Sequence, residues 1–422
     1  MSTFLLEIGT EELPADFARL ALPQLEALVH RDLAERRLSH GQITVTSTPR
    51  RLALVVADLA ASAADLEEDR KGPPAAQALK EGVPTPAAIG FAKRCGIEAS
   101  ALEVRDTPKG PFVFARVREP GVPAAELLAA CIPPWIAGLQ GRRFMRWAEG
   151  ESRFSRPVRW LVALLDGAVI PVTLTGSDPE VSAGRLSRGH RLHGAQAGDG
   201  SGGVPGVSIA TASAYAETLA AAGVEVDRQR RATTIRAAVE TAAAALQARP
   251  DLPQELFDEL TDLVEAPLLI EGSVPESYLA LPAEVLSTVM RAHQRYIPLY
   301  RQQAQIDPLA LDARASLLPT FLCIANSLPA ATDTVRRGNE RVLKARLADA
   351  AFFVAADRAV ASSDRRAQLA RVTFAEGLGS LLNRVERLEW CTDGLVELLE
   401  LGDQDAAHAR RAAHLCKHDL VS

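Results

Sequence analysis

The chain has 422 residues, 47% hydrophobic and 24% charged, with a formal net charge of −6. That length exceeds what one small core serves, and the charge excludes a polycation that coats nucleic acid indiscriminately. No stretch approaches the roughly 18 uncharged apolar residues of a membrane span, so a water-soluble, cytoplasmic protein of about two or three domains with no membrane partner is expected. No basic region precedes the first apolar run, which argues against secretion. Cys95, Cys131, Cys323, Cys391 and Cys416 are scattered without a C-x-x-C spacing, which disfavours a structural zinc site and a disulfide framework and points to reduced thiols.

In chain order, residues 4–8 read as a buried strand, and Thr10 to Pro14 as a turn into a helix with Phe17, Leu20, Leu25 and Leu28 on its apolar face. Residues 52–59 and 112–117 read as strands, with a short helix entered through prolines over 84–95 between them. Residues 158–165 and 168–174 are predicted to form a hairpin turning at Asp166-Gly167. The glycine-rich stretch at 198–203 breaks all periodicity and is placed as a flexible loop or domain seam. Helices follow over 213–222 and 228–248, with short strands at 267–270 and 297–300. From residue 331 onward the pattern is helical, with Val342, Leu343, Leu347, Ala350 and Phe353 in one stripe. Residues 404–422 end inside a predicted helix, so the natural protein is expected to continue. The fold class is α+β and multidomain: an α+β amino-terminal domain over 1–197, a second over 207–330 and a helical region over 331–422.

Several catalytic signatures fail on their mechanics. The glycines at 198–206 have no following Lys-Ser or Lys-Thr, so they lack the cation and hydroxyl of a phosphate loop. Gly377-Leu378-Gly379 with Arg384 resembles the ATP motif of class II synthetases, but Leu378, Leu381, Leu382, Val385 and Leu388 read as one helical face. His418-Asp419 resembles the metal-binding dipeptide of HD phosphohydrolases without the further ligands an open metal site needs. His190 and His193 read as a surface or RNA-facing pair rather than metal ligands. No Gly-x-Ser-x-Gly elbow is present.

Arginine clusters with aromatics do stand out. Arg142, Arg143, Arg146, Arg153, Arg156 and Arg159 interleave with Phe144, Trp147, Phe154 and Trp160. Guanidinium groups grip phosphate in a fork and aromatic faces stack on unpaired bases, which suits RNA. The competing reading pairs these arginines with Glu149 and Glu151 while the aromatics fill a core. A second basic run, Arg336, Arg337, Arg341, Lys344 and Arg346, reads as a salt-bridged helix with Glu340 four residues before Lys344.

Ordered blocks along the chain carry a resemblance: Phe4-Leu5-Leu6-Glu7-Ile8-Gly9-Thr10-Glu11-Glu12-Leu13-Pro14, Thr48-Pro49-Arg50-Arg51-Leu52-Ala53, Arg70-Lys71-Gly72-Pro73, Met145-Arg146-Trp147, Phe154-Ser155-Arg156-Pro157-Val158-Arg159-Trp160 and Arg188-Gly189-His190-Arg191. Leu281-Pro282-Ala283-Glu284, His293-Gln294-Arg295-Tyr296, Gly338-Asn339-Glu340-Arg341-Val342-Leu343 and Ala345-Arg346-Leu347-Ala348-Asp349-Ala350 follow. Together they resemble the amino-terminal portion of the beta subunit of the bacterial two-subunit glycyl-tRNA synthetase. The resemblance implies an α2β2 ligase that joins glycine to tRNA-Gly, with ATP and Mg used in the alpha subunit and no cofactor, metal or catalytic residue in this chain. It also implies an amino-terminal half similar to the body and tail of archaeal CCA-adding enzymes. Leu415-Cys416-Lys417-His418-Asp419-Leu420 looks like the start of an HD-like domain, whose remainder, with the anticodon-binding domain, the chain lacks. The arginines expected to contact tRNA are Arg50, Arg51, Arg143, Arg146, Arg156, Arg159, Arg188 and Arg191. The alternative is a scaffold segment that positions the alpha subunit without holding tRNA.

Overall fold

The first apolar run forms the strand β1 (Ser2–Thr10). The computed structural model describes residues 1–80, 82–192, 206–304, 307 and 310–422. The glycine-rich 198–203 stretch and His193 lie outside the described residues. The chain divides into two compact units, one of Met1–Ala242, Leu252–Ile270 and Ile324–Thr332, the other of Ala243–Asp251, Glu271–Cys323 and Asp333–Ser422.

In the first unit β1 is an inner strand. The helix α1 (Ala15–Glu35) follows it, then β2 (Ile43–Thr48) and β3 (Arg51–Leu59). The described strands of this sheet run in the order Thr173–Leu174, Val181–Gly184, Val158–Leu165, β1, β3, β2. β1 is antiparallel to both neighbours, with Glu7 opposite Ala53 on one side and Val162 on the other. Side chains alternate across a strand, so Phe4, Leu6 and Ile8 enter one core while Leu5 enters another on the opposite face. Both faces are covered, which is why the run shows no polar alternation.

α1 closes the first core with Phe17, Ala18, Ala21, Leu25, Val29 and Leu33. Leu20 is instead 39% exposed, because the buried stripe runs through Ala21 and the helix turns Leu20 outward. The helix Ala124–Gly138, with Pro133 and Pro134 inside it, packs Leu128, Ile132 and Trp135 into the same core. The expected hairpin forms at Asp166, but only Ala168 and Val169 pair back onto Val158–Leu165, and Thr173–Leu174 pairs instead with Val181–Gly184.

Residues 66–119 build a smaller layer within this unit. Leu66–Pro74, Gly110–Glu119 and Glu103–Thr107 form a three-stranded antiparallel sheet, and the helix Pro86–Cys95 covers it with Ala88, Phe91 and Cys95 against Val113, Ala115 and Val117.

In the second unit Ile297–Arg301 pairs antiparallel with Ala248–Pro250 on one side and with residues 317–322 on the other. Tyr296 stacks on Phe321 with ring centroids 4.5 Å apart. Leu343 and Leu347 of the helix Thr332–Arg358 close this core. Val342 and Phe353, expected on the same stripe, are 45% and 64% exposed. Glu340 does not serve as a helix-surface partner for Lys344: its Oε1 accepts from the Ser273 amide at 2.9 Å and the Ser273 hydroxyl at 2.8 Å. The helices Leu381–Leu398 and Asp403–Leu415 complete this unit. The final residues leave helix Asp403–Leu415 for the 3-10 turn His418–Val421.

Candidate nucleic-acid interface

The eight arginines expected to face RNA fall into two groups. Arg50 and Arg51 lie at the turn between β2 and β3 and are only 3% and 0% exposed. Arg50 Nη2 sits 3.1 Å from Glu265 Oε1 and donates to the Gly189 carbonyl at 2.7 Å. Arg51 donates to Thr48 Oγ1 at 3.1 Å and to the Arg188 carbonyl at 2.9 Å, and it lies 3.5 Å from Glu265 and 3.9 Å from Glu7. Burial pushes the Arg50 guanidinium below its ordinary pKa, opposed by Glu265. These two side chains therefore hold residues 187–190 from inside and present no free guanidinium at the surface.

Carboxylates complete that interior. Glu7, with 0% exposure, accepts from the Trp160 indole N–H and from the Ser187 hydroxyl at 2.6 Å. Asn326 Oδ1 accepts from the Glu265 and Ala266 amides, each at 3.0 Å, and lies 3.2 Å from His190 Nε2. His190 is thus buried at 1% exposure rather than on the surface, because its ring is drawn to this amide. Nearby, Arg231 donates to the Ser47 carbonyl at 2.7 Å, and burial pushes its guanidinium down to about 10.

The aromatics of the 142–160 run are core residues, not stacking platforms. Phe154, Trp147 and Trp160 are 1%, 9% and 7% exposed, and Phe144 packs on Phe17 and Phe154 with centroids 5.9 and 5.8 Å apart. The arginines between them are left outside. Arg142, Arg143, Arg146, Arg153 and Arg159 are exposed and Arg156 half-buried. A buried aromatic alternating with a charged residue is how an irregular segment anchors itself while displaying cations.

Two cavities open on this display. One, of about 360 Å³, is lined by Arg142, Arg143, Arg156 and Ser155 with Asp16 and Phe17. Asp16 lies 3.5 Å from Arg142. Among the described residues, neither Arg143 nor Arg146 has an ion-pair partner, and Glu149 and Glu151 pair with none of these arginines. The second cavity, of about 520 Å³, includes Arg159, Trp160, Ser187 and Arg188. There the Arg188 guanidinium lies 4.9 Å from the Trp160 ring centroid, and Glu11 meets Arg159 at 2.8 Å and Arg191 at 3.3 Å. Arg191 also reaches Glu12 at 2.8 Å. Forked donors around a cavity of this size suit a phosphate-like anion.

Other candidate motifs resolve into structure. Gly377 and Gly379 belong to the small hairpin Thr373–Ala375 and Gly379–Ser380, and Arg384 lies over the Phe374 ring at 4.4 Å. His418 Nδ1 donates to the Leu415 carbonyl at 2.6 Å. Among the described residues no group of three or more His, Cys, Asp or Glu side chains could hold a metal ion, and no helix is long and apolar enough to cross a membrane. Sequence reasoning missed Glu265 and Asn326, which lie far along the chain and carry no local signal. Arg142 and Ser155 of the first cavity were within reach, since both sit in the run already singled out.

Fold and site thus define an α+β protein with guanidinium-lined cavities on its first unit. The family model described as glycyl-tRNA synthetase beta subunit matches residues 4–422. A glycine–tRNA ligase beta subunit from a Picosynechococcus species is 43% identical over 422 residues, covering 100% of this chain and 57% of that protein. Those of Moorella thermoacetica and Geobacter sulfurreducens are each 38% identical, over 420 and 419 residues, with 99% of this chain and 57% of the relative covered. The chain belongs to the glycyl-tRNA synthetase beta subunit family, and it spans 57% of the length of these relatives.

Proposed function

We propose that this chain acts within a glycine–tRNA ligase as the tRNA-handling part of the beta subunit, with glycine activation by ATP and Mg carried out in a partner alpha subunit of an α2β2 assembly. Family membership supports the reaction, and the arginine-lined cavity at Arg142, Arg143 and Arg156 is the observation that carries the tRNA role. Arg143, Arg146, Arg156, Arg159, Arg188 and Arg191 remain the candidates for the phosphate backbone, while Arg50 and Arg51 support the 187–190 segment from within. On this reading the chain positions and neutralises RNA, and it contributes no group to bond making. The CCA-adding-like body and tail over 1–197 and 207–330, the opening of an HD-like domain in 331–422 and a cytoplasmic location belong to the same reading.

Filter binding of a tRNA-Gly transcript to the 422-residue chain tests it. Arg142→Ala, Arg143→Ala and Arg156→Ala combined should weaken binding and flatten the salt dependence by about one slope unit per lost phosphate contact. The scaffold reading, favoured by the sequestration of Arg50 and Arg51, expects no tRNA binding by this chain and undiminished association with the alpha subunit.

A further inference from the structure

The cavity of about 360 Å³ at the start of α1 is lined for more than a phosphate group. Its volume falls within the range of about 300–1,000 Å³ that small-ligand sites occupy, and its walls differ in chemistry. Asp16, Phe17 and Leu20 of α1, with Pro14 ahead of them, meet Arg142, Arg143, Ser155 and Arg156 around it.

Part of this lining suits an anion. α1 is 21 residues long and opens behind Pro14, and no side chain caps its first amides. Such a helix end attracts negative charge. Ser155 lines the cavity while only 2% exposed, and among the described residues its hydroxyl has no hydrogen-bond partner. Buried polar groups are nearly always paired, so this hydroxyl is one that a ligand would complete. Arg156 Nη1 donates to the Ser155 carbonyl at 2.7 Å, which fixes the guanidinium without neutralising it. Among the described residues neither Arg156 nor Arg143 has an ion-pair partner.

The remainder does not suit an anion. Asp16, 3.5 Å from Arg142, would repel a bare phosphate, and a carboxylate accepts hydrogen bonds without donating any, so it calls for a donor on the ligand. Leu20 lies one helical turn beyond Asp16 on the same face and is exposed, next to the buried Phe17. A ligand that answers all of these is an anion carrying hydrogen-bond donors and a flat apolar face, which is the chemistry of a nucleotide. In a duplex the bases are stacked and paired, whereas an unpaired nucleotide is free to lay its base on a side chain.

We infer that this cavity seats one unpaired nucleotide of RNA, its phosphate against Arg143, Arg156 and the Ser155 hydroxyl and its base against Leu20. The inference rests on the tRNA-handling reading and narrows it from neutralising a backbone to recognising a single-stranded nucleotide.

The test uses the 422-residue chain with a tRNA-Gly transcript, a short unstructured oligoribonucleotide and a blunt-ended RNA hairpin, binding being read by fluorescence anisotropy. The single strand should bind about tenfold more tightly than the hairpin. Leu20→Gln, which removes the apolar wall without changing charge, and Ser155→Ala should each weaken the single strand about fivefold at an unaltered melting temperature and leave the hairpin as it was. Equal affinities for the two RNAs, or parent-like binding of the single strand by both variants, overturns the nucleotide site. Loss of tRNA binding by the Arg142, Arg143 and Arg156 triple variant would still leave the tRNA-handling reading standing in that case. A parent chain that binds no tRNA overturns both.

Discussion

Arg50 Nη2 and Glu265 Oε1 lie 3.1 Å apart with side chains 4% and 1% exposed, an ion pair joining residues 215 positions apart. Arg51 shares the same carboxylate. Removing one partner from such an arrangement leaves uncompensated charge in a low-dielectric interior, which costs more than the pair contributes net. Glu265→Ala should therefore lower stability by about 3–5 kcal/mol, read by urea unfolding. A variant within 1 kcal/mol of the parent, by about the size of a surface substitution, would show that water reaches both guanidiniums.

Gly9 sits where β1 passes under Trp160, and a Cβ added there would fall within the indole ring. That ring is fixed by the indole N–H donated to Glu7 and by the Arg188 guanidinium over its face. Gly9→Ala should thus destabilise by about 1–3 kcal/mol through overpacking, seen as a lower melting temperature with secondary structure retained by circular dichroism.

Glu389 accepts from Arg366 at 2.7 Å and lies 2.6 Å from His414 Nδ1. Burial raises its carboxyl, but these hydrogen bonds outweigh that and leave it below the ordinary glutamate value of 4.5. A carboxyl depressed in the folded state contributes stability that is present above the unfolded value and lost as pH falls through the folded one. Acid titration of unfolding should show stability declining below 4.5, and Glu389→Gln should make that decline shallower; an identical profile in the variant would remove Glu389 from the account.

Cysteine reactivity separates the thiols by burial. Cys95, Cys131 and Cys323 are buried, Cys391 and Cys416 exposed. Burial pushes Cys131 up and Cys323 up to about 11. The thiolate is the reacting species, so a disulfide reagent at pH 8 should titrate two thiols quickly and the other three only on unfolding. Fast modification of Cys323 would contradict its place in the second core.

Much of the fold could be read from local pattern. β1, β3, the helix Pro86–Cys95 and the strand Ile297–Arg301 all coincide closely with apolar runs or proline-marked starts. Elements whose pattern is masked were not foreseen. Leu66–Pro74 is rich in charge because one edge of its small sheet is open to water, and Ala124–Gly138 carries two prolines that argue against the helix it forms. At the site, the arginine-rich run was visible as composition, but exposure was not: the same residue type is sequestered at Arg51 and exposed at Arg143.

The sequence by itself determined the family, through ordered blocks from Phe4 onward, and the strand and helix periods that depend only on neighbouring residues. Which arginines reach solvent was decided by the tertiary structure, because it hangs on where Glu7 and Glu265 arrive. A guanidinium goes inside only if a carboxylate from elsewhere in the chain meets it there, and no local spacing encodes that meeting. For Arg50 and Arg51 the partner is present; for Arg143 and Arg146 none is found among the described residues, and both side chains are exposed.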